Sequence, residues 1–343
     1  MSEKIFNVAF IGCSGMAKLH IDGAAKIPNV HLYGLCGIDE KQLEYRVQEH
    51  KFDVVTRDYN DLVNDPKVDI AVIITPDQLH LEMATKFMRA GKAVLCEKPM
   101  ALTLDECEEM MRVEKETGAP LMVGQIARCS YDFRKAKELI DSGRIGELTF
   151  VESEYAHNYE KARGFADWRV VPERHGFIGG GCHAVDLLRW IAGDPTEVTA
   201  YANNKYLTDW PVDDNTIAIF KFPNNVIGKV FVSIGCKRPY TMRSVFYGTK
   251  GTIICESKVP YIKLYETNEE LGRKYADKEP IYINVAPSDH NTEQELRDFI
   301  AALAAGKSSP VSSYDGASTV AVCCAAVEST KTGAPVKIKY PKV

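Results

Sequence analysis

Between Lys4 and Val123, short apolar runs alternate with amphipathic segments, and no other feature of the sequence constrains the fold as strongly. The runs are Val8–Ile11, Leu32–Leu35, Ile70–Ile74, Ala93–Cys96 and Leu121–Val123. They are short and apolar throughout, so as strands they need cover on both faces. The stretches around Ala17–Ala25, Lys41–Gln48, Leu79–Arg89 and Leu104–Glu116 are predicted helices, and two lead to a glycine, Gly91 and Gly118, that fits a C-cap. Strand and helix in turn build βαβ units, so the expected architecture is α/β, a doubly wound parallel sheet.

A helical segment over Asp132–Ser142 ends this regime. Beyond it, Glu147–His157, Thr196–Asn203, Thr216–Phe222, Val226–Ile234, Arg243–Tyr247, Thr252–Glu256 and Tyr261–Tyr265 read as successive strands, with Asn224-Asn225 at a hairpin tip. Strands with few helices between them predict an α+β domain with an open-faced mixed or antiparallel sheet. Helices Thr292–Ala305 and Gly316–Lys331, then Gly333 and a short strand Val336–Lys339, close the chain. At 343 residues the chain is too long for one ordinary core, and two domains are expected, 1–124 and 125–343.

Composition narrows the partners. Values of 45% hydrophobic and 26% charged residues are globular, and a net charge of -5 gives no reason to expect nucleic acid or an anionic membrane. No run approaches the length of a membrane span, and MSEKIFNVAFIG lacks the apolar core of a secretory signal. The ten cysteines include no C-x-x-C pair; Cys13, Cys36, Cys96 and Cys182 stand in apolar or glycine-rich runs, and Cys323 and Cys324 in an Ala/Val helix. That scatter suits reduced thiols, and the cytoplasm is the expected compartment.

The first chemical signal is Gly12-Cys13-Ser14-Gly15-Met16-Ala17, directly after one predicted strand and opening a helix. A tight strand-to-helix turn needs a residue without Cβ at its start, and the N–H groups of the helix start can then hold a diphosphate. Against G-x-G-x-x-G/A, Ser14 replaces the second glycine and Ala17 fills the third place; an ordinary βα turn is the plain alternative. The second strand ends in Cys36-Gly37-Ile38-Asp39, where an acid would grip a ribose. Asp39, 27 residues past Gly12, can reach the hydroxyls. Alternatively, Gly37 makes room for a 2′-phosphate beside Lys41 or Arg46. NAD and NADP both stay open, with NAD favoured.

Two further segments fall at strand C-terminal ends, where open α/β sheets bind ligands. Thr75-Pro76-Asp77-Gln78-Leu79-His80 follows one run, and Glu97-Lys98-Pro99 the next. A buried ammonium is costly unless paired, and desolvation lowers its pKa, so Lys98 suits polarising a carbonyl or sharing an alcohol's proton. A surface lysine at a strand end is the bland reading. Downstream, Gly179-Gly180-Gly181-Cys182-His183-Ala184-Val185-Asp186 leads into an apolar helix. Three glycines before a histidine suggest a close approach to the backbone, and His183 and Asp186, three apart, share a helix face, so the carboxylate can orient the imidazole. The loop holding Tyr155, His157, Tyr159, Arg163, Trp168, Arg169, Arg174 and His175 offers groups for sugar hydroxyls or an anion, or serves as a subunit contact. Tyr155, His157 and Arg169 are its leading substrate candidates. Gln125–Arg128 crosses from one domain to the other, and Gln125 is placed with the cofactor residues. The histidines and Asp186 lack metal-ligand spacing, and no metal is expected.

The glycine turn, TPDQLH, GKAVLCEKPMALT, GGGCHAVDLLRW and YDGASTVAVCCAAVESTKTGAPVKI together resemble, in order and spacing, the glucose–fructose oxidoreductase/inositol dehydrogenase/MocA family. The likeness covers nearly the whole chain. It implies a Rossmann domain with a second, open-faced sheet domain, often packed sheet to sheet as homodimers or homotetramers. It implies nicotinamide-dependent oxidation of a sugar, amino-sugar or cyclitol hydroxyl. Lys98 matches the family's active-site lysine and His183 its histidine; Gly12, Ser14, Gly15, Met16, Ala17, Asp39, Thr75, Pro76, His80, Glu97, Lys98 and Gln125 are the expected cofactor contacts. Lys98, Tyr155, His157, Arg169, His183 and Asp186 are the expected substrate contacts. Many members carry an Asp four residues before the histidine; here Gly179 stands there, and the usual proton relay lacks that member.

The expected activity is hydride transfer between nicotinamide and a carbinol carbon, with proton handling by His183 and Lys98. Two rivals stay open: glycoside cleavage by transient oxidation with tightly held NAD, and a non-catalytic NAD(P)-binding sensor.

Overall fold

The computed structural model describes residues 4–267, 279–286 and 290–342. Its chain divides into two compact units, the first reaching Ile126 and taking back Asn291–Val320 with Pro341 and Lys342, the second holding Ala127–His290 and Ala321–Tyr340. The expected division at 124/125 therefore lies two residues early and misses the return of 291–320 to the first unit. Packing explains that return. A Cβ on Gly23 would lie 2.8 Å from the Glu293 nitrogen, and the Thr292 hydroxyl donates to the Leu19 carbonyl at 2.7 Å, so this late segment seats on the first helix.

In the first unit the chain runs β1 (Phe6–Ile11), α1 (Gly15–Ala24), β2 (Val30–Cys36), α2 (Glu40–Glu49), β3 (Val54–Thr56), α3 (Tyr59–Asn64), β4 (Ile70–Ile73), α4 (His80–Arg89), β5 (Ala93–Glu97), α5 (Leu104–Thr117) and β6 (Leu121–Gly124). The six strands are parallel, in the order β3-β2-β1-β4-β5-β6. The order reverses between β1 and β4, and that switch point is where such sheets take ligands. Every residue of β4, β5 and β6 is buried, as the apolar runs require. Thr103 and Glu106 close a capping box at the start of α5, and Gly118 ends the helix with φ 68°.

The second unit carries α6 (Tyr131–Asp141), β7 (Leu148–Ala156), α7 (Gly176–Gly179), α8 (Cys182–Ala192) and strands β8 (Glu197–Asn203), β9 (Asn215–Lys221), β10 (Ile227–Ser233), β11 (Thr241–Gly248), β12 (Gly251–Glu256), β13 (Tyr261–Glu266) and β14 (Ile281–Asn284). Helix α9 (Thr292–Ala304) belongs to the first unit, α10 (Ser313–Thr332) is shared in sequence between the two, and β15 (Val336–Lys337) ends the sheet. The nine strands are ordered β14-β13-β12-β11-β7-β10-β9-β8-β15. Among the described strands of this second sheet only β7 and β10 pair in parallel, which makes the sheet mixed. Asn224 and Asn225, with φ 59° and 63°, form the hairpin tip between β9 and β10. One face of the sheet meets α8; the other leaves Tyr201, Ile217, Ile219, Ile227 and Tyr247 exposed.

Besides the four-residue α7, which reads only as the glycine-rich lead into α8, three elements lie outside the sequence reading. Strand β3 has three residues and half-exposed or exposed side chains, so it shows no apolar run. Helix α3 has six residues and buries only Leu62. Strand β14 is mostly exposed at a sheet edge. None of these pays the burial that makes a pattern visible.

Candidate active site

In the first unit, β1 ends against the switch point. Gly12 has φ 120°, donates to the Cys36 carbonyl at 2.8 Å, and would put a Cβ 2.5 Å from the carbonyl oxygen of Ile74. No side chain fits there. Ser14 begins α1 without capping it through its side chain, and a Cβ on Gly15 would meet nothing within 4 Å. The amide groups of the first turn, at the positive end of the helix dipole, thus have open space beside Gly15. Met16 is half-buried and Ala17 buried beneath that turn.

The end of β2 corrects one expectation. Gly37 does not make room for a phosphate: a Cβ there would lie 2.4 Å from the Cys13 sulfur, so the thiol already fills the space. Arg46 is buried and paired with Glu49, which withdraws it from any ligand; Lys41 is exposed. Asp39 caps α2, one oxygen accepting from the Gln42 nitrogen at 3.2 Å. An acid, rather than a basic pocket, therefore marks this strand end.

Thr75 and Gln125 follow β4 and β6. The Thr75 hydroxyl and both polar atoms of the Gln125 amide are buried without a hydrogen-bond partner in the protein. Buried polar atoms are seldom left so. His80 behaves otherwise. It is wholly buried, with Nδ1 2.9 Å from the Pro99 carbonyl and Nε2 3.1 Å from the Thr75 carbonyl. Both carbonyls only accept, so both ring nitrogens donate and the ring is an imidazolium. Burial would discharge it, but Cys96, Asp77 and the Pro99 carbonyl outweigh burial and raise its pKa to about 10. His80 is therefore not a cofactor contact: it staples the Thr75-Pro76 turn to the loop after β5.

Lys98 is half-buried, not buried, and its peptide bond to Pro99 is cis. Its backbone nitrogen donates to Glu97 Oε2 at 3.0 Å, while Glu97 Oε1 lies 2.8 Å from His20 Nε2. Burial favours the neutral acid, but His20, Lys98 and the Lys98 amide overcome it and hold the Glu97 carboxyl below its usual range. Glu97 thus acts within the protein, anchoring the Lys98 backbone.

In the second unit, the three glycines before His183 do mark a close approach, and the protein itself makes it. A Cβ on Gly179 would be 2.4 Å from the Arg174 guanidinium carbon, one on Gly180 would be 2.6 Å from the Tyr155 ring and 3.0 Å from the Tyr159 hydroxyl, and one on Gly181 would be 2.6 Å from the Phe177 carbonyl. His183 stacks on Tyr155, centroids 5.8 Å apart at 23°. The Tyr155 hydroxyl contacts that of Tyr159 at 2.9 Å and His157 Nδ1 at 3.2 Å. Burial, then Tyr159 and Tyr240, push the Tyr155 phenol well above its ordinary pKa, so it stays protonated. Tyr240 packs edge-on against Tyr155 and His157, and His290 lies against His183 and Tyr240. Neither Tyr240 nor His290 was legible from sequence; each stands in an irregular segment with no motif around it.

Asp186 is corrected outright. It is 0% exposed and takes a two-pronged pair of bonds from Arg128, both 2.8 Å. It fixes α8 and is not open to a substrate. Arg169 donates to the Ala162 carbonyl and lies over the Trp168 ring at 4.1 Å, which ties down its own loop. His175 caps α7 by accepting from the Phe177 nitrogen. Among the described residues, no group of three or more His, Cys, Asp or Glu is arranged to hold a metal.

A doubly wound parallel sheet, a glycine turn open to a diphosphate and unpartnered polar atoms at its strand ends define a dinucleotide-dependent oxidoreductase. Residues 6–125 match the model of an oxidoreductase family with an NAD-binding Rossmann fold, and residues 133–254 match the GFO/IDH/MocA C-terminal domain. The chain belongs to the Gfo/Idh/MocA family of NAD(P)-dependent oxidoreductases. It is 28% identical over 340 residues to inositol 2-dehydrogenase 2 of Saccharopolyspora erythraea, covering 97% of this chain and 96% of that one. It is 23% identical over 346 residues to myo-inositol 2-dehydrogenase of Thermotoga maritima, covering 97% and 98%. Its fold matches a levoglucosan dehydrogenase in complex with NADH and L-sorbose with a TM-score of 0.89 at 22% identity, covering 98% of this chain and 100% of that one. No helix among the described residues is long and apolar enough to cross a membrane.

Proposed function

We propose that the protein moves a hydride between NAD and a hydroxyl-bearing carbon of a sugar, sugar derivative or cyclitol. The observation that carries this reading is the cluster of Tyr155, His157, Tyr159, His183 and Tyr240, apolar ring faces edged with hydroxyl and imidazole groups. Such a surface suits a polyol, whose C–H faces pack on rings while its hydroxyls bond to their rims. The names of the inositol and levoglucosan dehydrogenases above point to the same class.

The diphosphate would lie on Gly12, Ser14, Gly15 and the first turn of α1, the ribose on Asp39, and the nicotinamide end on Thr75, Pro76 and Gln125. NAD, when bound, supplies or accepts the hydride. The Lys98 ammonium steadies the substrate oxygen as charge grows on it. His183 takes or returns the hydroxyl proton, its ring held by the stack on Tyr155. Asp39 disfavours a 2′-phosphate, and with Gly37 closed by Cys13 the balance falls to NAD over NADP.

The test is a panel of sugars and cyclitols followed by NADH absorbance, with NAD and NADP compared by thermal shift. On the responding substrate, Lys98→Met and His183→Ala should each lower kcat by roughly 10²–10⁴-fold with cofactor binding intact. Near-normal turnover in Lys98→Met would end the assignment.

A second reading is favoured by Arg174, whose guanidinium occupies the space a side chain at 179 would need. No carboxylate can enter the relay there, which suits transient oxidation followed by elimination. Aglycone release from a glycoside without net NADH would mark that outcome. The exposed face bearing Tyr201, Ile217, Ile219 and Ile227 supports a homodimer or homotetramer through the second sheet. All ten cysteines are described and none forms a disulfide, eight of them buried, which supports a reducing, cytoplasmic setting.

A further inference from the structure

Glu295 lies in the first turn of α9, 0% exposed, with neither carboxyl oxygen given a hydrogen-bond partner. An ionised carboxylate in that position would have no compensation. Its neighbourhood is set by Gly124, the cross-strand partner of Glu97. A Cβ built on Gly124 would be 3.6 Å from Glu295 Oε1 and 3.3 Å from the Glu97 Cα, so the two acids flank one point. The side chain closing that gap is missing, and the carboxyl of Glu295 approaches the strand end where Glu97 holds Lys98.

We propose that Glu295 is a positioning residue: a permanently neutral acid that donates its proton as a hydrogen bond to the Glu97 carboxylate, completing a buried His20–Glu97–Glu295 group that fixes the Lys98 backbone. Glu97 already receives the Lys98 amide on Oε2 and faces His20 on Oε1, and a carboxylate has lone pairs to spare for a third bond. One proton then serves two carboxyls, as it must when like charges share a dry site. The charged groups acting on Glu295 are Glu97 at the end of β5 and Asp298 from its own helix, and Glu97 in turn faces His20 of α1 and Lys98 just beyond β5. Burial first, then repulsion from Glu97 and Asp298, pushes its pKa well above the carboxylate range. The sequence gives no sign of this role, since Glu295 stands in TEQELRDF as one more polar residue of an amphipathic helix.

The kinetic arm rests on Lys98 acting in turnover, as proposed above; the spectroscopic arm does not. Infrared difference spectra of the full chain, wild type minus Glu295→Gln at neutral pH, should show the carbonyl band of a protonated carboxylic acid. Glutamine keeps a neutral donor, so Glu295→Gln should retain kcat within about threefold and keep the pH profile, while Glu295→Met should lose roughly tenfold or more and shift the profile. A wild-type protein without the protonated-acid band, or a glutamine variant as impaired as the methionine one, would overturn the assignment. If no sugar or cyclitol is turned over, the band alone decides Glu295, and the functional reading fails separately.

Discussion

Replacing Arg128 by Met should destabilise the second unit by about 3 kcal/mol, at the lower end of the cost of stranding one member of a buried ion pair. The figure follows from the geometry. Asp186 is wholly buried, and both its oxygens take a 2.8 Å bond from Arg128, so the variant leaves a carboxylate with its main compensation gone. Arg189 offers partial relief: its Nη1 is 3.9 Å from Asp186, but its fork is engaged by Asp194 at 2.8 Å and 2.9 Å. Removing both charges in Arg128→Met/Asp186→Leu should recover most of the loss, to within about 1 kcal/mol of wild type. All three tryptophans, Trp168, Trp190 and Trp210, lie in the second unit, so urea unfolding followed by their fluorescence reports on it alone. Because Asp186 is one turn from His183 on α8, the folded single variant should also turn over more slowly. A single variant costing under about 1 kcal/mol, or a double variant no better than the single, would refute the view that this pair holds the helix.

Other outcomes follow from the same structure. Gly12→Ala, with φ 120° and a Cβ 2.5 Å from a backbone oxygen, should lower unfolding stability by about 2–3 kcal/mol or more. Gly15→Ala should leave stability within about 0.5 kcal/mol, since its Cβ meets nothing, yet weaken NAD binding by calorimetry; unchanged affinity would remove the diphosphate from that turn. Asp132 is buried, which raises its pKa to about 6 against the backbone bonds from Phe133 and itself. A carboxyl with a raised folded-state pKa binds protons more tightly when folded, so its contribution is present below the unfolded pKa of 3.8 and is lost as pH rises to about 6. Asp132→Asn should therefore gain on wild type between those pH values, by at most about 3 kcal/mol at pH 7, and a gap independent of pH would contradict the assignment.

What the sequence made legible was what periodicity and spacing encode. Strands such as Ile70–Ile73 are apolar throughout because both faces are covered, and Gly12 announces its turn because nothing else fits beside Ile74. Thr75 and Gln125 could be proposed from their places after strands alone. What stayed hidden depended on a second chain segment meeting the first. His80 reads as a ligand contact until both ring nitrogens are found on carbonyls of Thr75 and Pro99. Asp186 reads as the partner of His183 until Arg128, 58 residues away, takes both its oxygens. Gly179 reads as a lost carboxylate, whereas the position is filled by a guanidinium from five residues upstream.

The contact between Cys13 and Gly37 has a practical corollary for anyone redesigning nucleotide preference. The two positions share one parcel of volume, so a larger group at 37 demands a smaller one at 13. Screening substitutions at 37 alone would select against folding before it selected for a new cofactor. A library that varies both sites at once, with alanine or glycine allowed at 13, searches the combinations this backbone can hold.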